Sequence, residues 1–246
     1  MTKDIFTVIW KERKGLLQYN SNRWKSFLTL IIPIAMFGII FPIQFREEWL
    51  SSYWSVAVSL VTPILLIAST IAESFAGERE RHTLETLLAS RLPDQAILLG
   101  KLFTSMLFGW GVTLFLLLIS LGMVNLLDWE GHLRFYQPAI FWSNMAVSLL
   151  VVGLVSNLGI LLSLRSPTVQ NAAQMIMLML FMPLLLLQAV AFLLPSFMPV
   201  EPIKAFLEDL DVNSILLIVS ILLLFVNIGL FLGAKARFKR SRLILS

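Results

Sequence analysis

Six apolar runs, separated by short polar loops, fill most of this 246-residue chain and leave few architectures open to it. They cover about 27–45, 53–75, 96–127, 139–164, 172–194 and 213–234. Crossing about 30 Å of hydrocarbon at 1.5 Å per residue takes about 20 residues. Backbone polar groups in lipid must be satisfied within the element, so runs of this length cross as helices. The chain is 58% apolar, against roughly 45–50% for soluble domains, with a mean hydropathy of +0.84. The pattern predicts an all-α integral membrane protein, a single domain over 1–246 with six transmembrane helices. The third run exceeds what the hydrocarbon needs and must tilt or project.

The distribution of Lys and Arg predicts orientation, because positive residues near span ends stay on the cytoplasmic side. The N-terminal segment carries Lys3, Lys11, Arg13, Lys14, Arg23 and Lys25; the second-to-third loop and the foot of the third span carry Arg79, Arg81, Arg91 and Lys101. Arg165 and the tail residues Lys235, Arg237, Lys239, Arg240 and Arg242 join them, against Arg46, Arg134 and Lys204 on the other face. Sixteen against three places both termini in the cytoplasm, in the inner or plasma membrane. The same bias explains the net charge of +4 without a nucleic-acid partner.

Several chemistries are disfavoured. Cysteine is absent, which removes disulfides, thiolate catalysis and Cys-based metal sites. His82 and His132 fall on opposite predicted faces, and no metal-ligand spacing or catalytic constellation stands out. Charges are nearly absent within the spans: Glu73 sits near the end of the second and Lys101 at the foot of the third. An ion-driven carrier or autonomous channel would be expected to hold more, since intramembrane ionisable groups mark ion routes.

Two amphipathic segments flank the spans. Residues 1–25 place Ile5, Val8, Ile9, Leu16 and Trp10 on one helical face with cations around the rest, which predicts an interfacial helix on anionic lipid. Pro202 followed by Ile203, Phe206, Leu207 and Leu210 predicts a short outer helix before the sixth span. Within the spans, Asn157, Gln174, Gln188 and Asn227 suit interhelical hydrogen bonds. Gly229 and Gly233 suit close helix approach.

The polar sequence is concentrated in 77–94, GERERHTLETLLASRLPD. Gly77 is expected to end the second span, Thr83 to cap a short helix, and Pro93 to close the segment. Leu84, Leu87 and Leu88 form an apolar stripe at i, i+3 and i+4, collared by Glu78, Arg79, Glu80, Arg81 and Glu85. Such a ridge either docks into a groove on a soluble partner or rests on the inner membrane surface. The residues leave both open.

The motif Glu73, Glu78-Arg79-Glu80, Thr83-Leu84-Glu85, Leu87-Leu88, Pro93 and Gly100-Lys101 resembles the ABC-2 family, the membrane permeases of ATP-binding-cassette exporters. His82 stands where that family has glycine. The resemblance extends to the six spans, the N-terminal amphipathic helix and the outer helix, and implies the type V exporter-like permease fold. It implies that 77–94 is a coupling helix on which a separate ATPase subunit docks through Glu78, Arg79, Glu80, Arg81, Thr83, Leu84, Glu85, Leu87 and Leu88. Glu73, Gly77, Pro93, Gly100 and Lys101 would be its hinges or helix ends. It also implies a second permease subunit, identical or not. No cofactor would be bound by this chain, with ATP and Mg on the partner; Gly100-Lys101 lacks the glycine and Ser/Thr of a phosphate loop. A haem-type export permease of cytochrome c maturation is the alternative within the class.

Overall fold

The computed structural model describes residues 1–18, 31–197 and 211–238. The start of the first predicted span, the predicted outer helix over 202–210, and Arg23, Lys25, Lys204, Lys239, Arg240 and Arg242 lie outside these residues, as does the side chain of Leu88. Among the described residues there is no strand.

The helices are α1 (Thr2–Gln18), α2 (Ile31–Phe45), the short α3 (Glu48–Ser51), α4 (Trp54–Glu80) and α5 (Leu84–Ala89). They continue with α6 (Asp94–Leu127), α7 (Pro138–Ser163), α8 (Val169–Phe197) and α9 (Val212–Arg237). Five of them, α4 and α6 to α9, are long and apolar enough to cross a membrane; α2 is shorter over its described part. At 34 residues α6 is about 51 Å long, well beyond the hydrocarbon thickness.

The bundle has two distinct ends. Phe75 packs on Phe238 with ring centroids 5.3 Å apart, and Lys101 pairs with Glu12, so α1, the end of α4 and the end of α9 lie together. At the opposite end the Tyr53 hydroxyl donates to Asn213 (2.6 Å) and Arg46 pairs with Asp128 (3.0 Å).

The buried core runs along α4, where Ile64, Ile67, Ile71 and Phe75 meet residues of α6, α7 and α8. Glycine sets how closely the helices approach. A Cβ on Gly109 would lie 1.9 Å from Ile67 Cδ1, and one on Gly159 would lie 2.3 Å from Ile71 Cγ2. A Cβ on Gly229 or Gly233, by contrast, would meet no neighbouring element within 4 Å among the described residues, so this pair faces away from the described bundle instead of packing it. Polar side chains join the helices where expected in part. Ser59 donates to Asn144 (2.7 Å), Asn144 to Ser55 (3.1 Å), and Asn157 to Asn227 (3.2 Å). Gln174 and Gln188 are exposed on α8 and bridge nothing in the core.

Candidate functional site

The lower part of α4 is shaped by a side chain from another helix. Ser163, the last residue of α7, lies fully buried against it. Its hydroxyl accepts from the amides of Phe75 (3.0 Å) and Ala76 (2.9 Å) and donates to the carbonyl of Ala72 (2.9 Å). A hydroxyl has one donor and two acceptor sites, and all three are used. Insertion of a side chain into the helical ladder opens it, and here Glu73–Gly77 forms a π-turn.

Gly77 therefore does not end the span. It keeps ordinary helical angles (φ −65°, ψ −38°), and the helix continues to Glu80. The stop comes at His82, with φ +55°. The Thr83 amide reaches back to the Glu78 carbonyl (2.8 Å) and the His82 amide to the Arg79 carbonyl (3.0 Å). These are the paired bonds of a Schellman termination, whose left-handed residue is usually glycine. Thr83 does not cap α5 through its side chain either, because its hydroxyl donates to the Glu78 carbonyl (3.2 Å).

The left-handed conformation strains a residue with a Cβ by roughly 1–2 kcal/mol. A glycine there would gain that but lose about 0.4–1 kcal/mol to unfolded-chain entropy. His82→Gly is thus expected to raise unfolding stability by about 0.5–1 kcal/mol, and His82→Val to lower it. Thermal unfolding of the detergent-purified variants checks the order.

Around this termination the charges turn inward. Lys101 on α6 is fully buried, and its ammonium donates to Glu12 (2.9 Å) and to the Ser74 carbonyl and pairs with Glu78 (3.1 Å). It also lies over the Phe75 ring, 4.9 Å from its centroid. Lys11 joins the same Glu78 oxygen. Burial lowers the Lys11 ammonium's affinity for its proton, but the hydrogen bond and charge of Glu78, with Glu12, outweigh this and raise its pKa above the ordinary value. Two cations and two carboxylates so lock α1, α4 and α6 together with no net charge. Gly100 makes the contact possible: a Cβ there would lie 2.5 Å from Val8 of α1. Gly100 and Lys101 are thus taken up by packing and ion pairing.

Arg79 and Glu80 attach the joint to the α7–α8 turn. Arg79 donates to the carbonyls of Leu164 (2.8 Å) and Ser166 (2.6 Å) at the end of α7, where a cation complements the helix dipole. Glu80 accepts from the Val169 amide (3.3 Å) at the start of α8, the end that favours an anion. Glu73 sits near Arg81 (3.7 Å) on the exposed side of the π-turn.

In the short helix α5, Leu84 and Leu87 lie inward. Leu84 and Leu87 are buried in the same cluster as Phe75, Ile97, Leu98 and Leu164. This corrects the expectation of an apolar ridge offered outward for Leu84 and Leu87, which pack their own bundle at about 1.5–3 kcal/mol per side chain. The face left exposed is polar, made by Glu80, Arg81, His82, Thr83, Glu85 and Thr86. Pro93, extended at φ −67° and ψ 144°, precedes α6 and closes the segment.

Of the site residues expected from sequence, Glu78, Arg79, Gly100 and Lys101 thus converge on one buried joint, while Glu80, Arg81, Thr83 and Glu85 share an outward face. Sequence reasoning missed Ser163, Lys11 and Glu12. A serine closing an apolar run carries no mark of its role, but Glu12 had one, as an acid set within Lys11, Arg13 and Lys14.

A search of curated proteins finds no match to this sequence. The profile of the ABC-2 type transporter family matches residues 3–208, taking in α1, the whole joint and the helices through α8. With that match over most of its length, the chain belongs to the ABC-2 type transporter family.

Proposed function

We propose that the chain is the permease of an ABC exporter in the cell membrane, with both termini in the cytoplasm, driven by a separate ATPase subunit. ABC-2 permeases generally work with an ATP-binding subunit and are not themselves catalytic. ATP and Mg would bind on that partner, and a second permease copy or homologue would complete the substrate path. The partner docks on the exposed face of the 80–86 segment, through Glu80, Arg81, Thr83, Glu85 and Thr86. Glu78, Arg79, Leu84 and Leu87 act from behind, as the attachment of that face to the bundle.

One observation carries this reading. The exposed polar face is rigidly joined to four helices at once, by Lys101 to α1 and α6, and by Ser163, Arg79 and Glu80 to α7 and α8. A push on that face reaches every one of them. A helix merely resting on lipid would instead turn its leucines outward.

The double variant Glu85→Arg/Thr86→Arg tests it. Juxtaposed mismatched charges cost several kcal/mol at an interface, so ATPase-subunit affinity should fall at least about tenfold and transport with it. Both residues are exposed, so the permease alone should unfold at an unchanged temperature. Normal transport by this variant would remove the docking role.

A further inference from the structure

The π-turn at Glu73–Gly77 lies between the apolar length of α4 and the exposed 80–86 segment. Such a turn holds one residue more than the α-helical turn it replaces, and π-turns occur frequently at functional sites. What holds this one open comes from two other helices. Ser163 of α7 takes up the Phe75 and Ala76 amides and the Ala72 carbonyl. The Lys101 ammonium of α6 takes the Ser74 carbonyl.

The interior of the turn counts against it. The Ser74 hydroxyl and Glu78 Oε2 are buried and have no hydrogen-bond partner among the described residues. Buried hydroxyls elsewhere in the bundle donate to the carbonyl four residues back, as Thr62 does to Val58, Thr104 to Gly100 and Thr113 to Gly109. Ser74 lacks that bond. Favoured by its neighbours and disfavoured from within, the π register stands close in free energy to the α register.

A slip between the two registers changes every polar contact of the joint at once. In the α register Gly77 takes the place of Glu78, Glu78 that of Arg79, and Arg79 that of Glu80. Lys101 and Lys11 then face a glycine, the Leu164 and Ser166 carbonyls face a carboxylate, and the Val169 amide faces a guanidinium. All three attachments fail together. The 80–86 face is also turned by about 100°, so a partner bound to it has unequal affinity for the two registers and shifts their balance.

We infer that the π-turn is a two-position clutch: in the π register the exposed segment is engaged with the bundle, and in the α register it is released. Resting on the transport reading above, the ATPase subunit moves the chain between these positions during its cycle.

Deleting Ala76 tests this. One residue fewer lets 73–77 close as plain α-helix while Glu78 still meets Lys101 and Arg79 still meets the end of α7, so the deletion is fixed in the engaged position. It should fold and bind the ATPase subunit, yet lose at least about tenfold in transport, because the released position is closed to it. Spin labels on Ala89→Cys and Gln170→Cys, both exposed, read the register directly in nanodiscs. Two distances are expected in the otherwise native chain, in proportions that change between nucleotide-free and ATP–vanadate samples of the complex. The deletion should show only the engaged distance, and Ser163→Ala only the released one. If the deletion does not fold, the native chain and Ser163→Ala decide by the same labels. A single distance shared by all samples, or wild-type transport by the deletion, would overturn the inference. Two distances that Ser163→Ala reduces to one, but that no ATPase or nucleotide shifts, would keep the clutch and overturn the transport reading instead.

Discussion

Replacing Lys101 with methionine is expected to destabilise the protein by about 3 kcal/mol or more, enough to cut the yield of folded permease severely. The ammonium is fully buried and faces both Glu12 and Glu78. Removing one partner of a buried ion pair typically costs 3–5 kcal/mol, because the remaining charge is left without compensation. Glu12 and Glu78 are 20% and 11% exposed and keep Lys11, which argues for the lower part of that range. Isosteric replacement of a whole pair is often neutral, so Lys101→Met/Glu78→Gln should recover much of the loss. Unfolding midpoints in detergent for the two singles and the double close the cycle, and a coupling near zero would mean that the two groups do not interact.

The second large effect is expected from Ser163→Ala. The change removes one oxygen, yet it strands the buried amides of Phe75 and Ala76 and frees the Ala72 carbonyl. Each unsatisfied buried group costs about 1–3 kcal/mol, so a loss of about 2–4 kcal/mol is expected. The helix can escape part of this by closing the π-turn into ordinary α geometry. That rotates everything after Gly77 by roughly one residue, about 100°, and carries Glu78 away from Lys101. Ser163→Ala should therefore also uncouple the exposed 80–86 face from the bundle. Ser163→Thr, which keeps the hydroxyl, should restore both stability and transport in the reconstituted system.

Much of the architecture was readable because membrane helices announce themselves by composition alone. The runs at 139–164 and 213–234 fall within a few residues of α7 and α9 for that reason. Helix ends were harder. Gly77 looked like a stop, but glycine also sits in ordinary helix, and the termination is set by a left-handed residue that happens to be histidine. That position is nonetheless where the resembling family has glycine, and φ +55° is the conformation glycine serves, so the motif marked the turn correctly through a residue that departs from it.

The leucine stripe shows a different limit. Periodicity reveals that Leu84 and Leu87 share a face of α5, but not what covers it. A core nine residues before Leu84 and ten after Leu87, at Phe75 and Ile97, was as available as any partner. The polar joint was least legible. Its bonds join residues some 27 to 91 positions apart, such as Lys101 to Ser74 and Ser163 to Ala72, and no local pattern encodes such pairings.

The central claim is that a cytosolic ATPase meets the polar face of the 80–86 segment while Leu84 and Leu87 point inward. Because the chain has no cysteine, single cysteines can be placed without background. Thr86→Cys and Leu87→Cys, neighbours of which the first is exposed and the second buried, should be compared for thiol crosslinking to the copurified ATPase subunit. Efficient crosslinking from position 86 and none from 87 is the predicted result; crosslinking from 87 and none from 86 would contradict it.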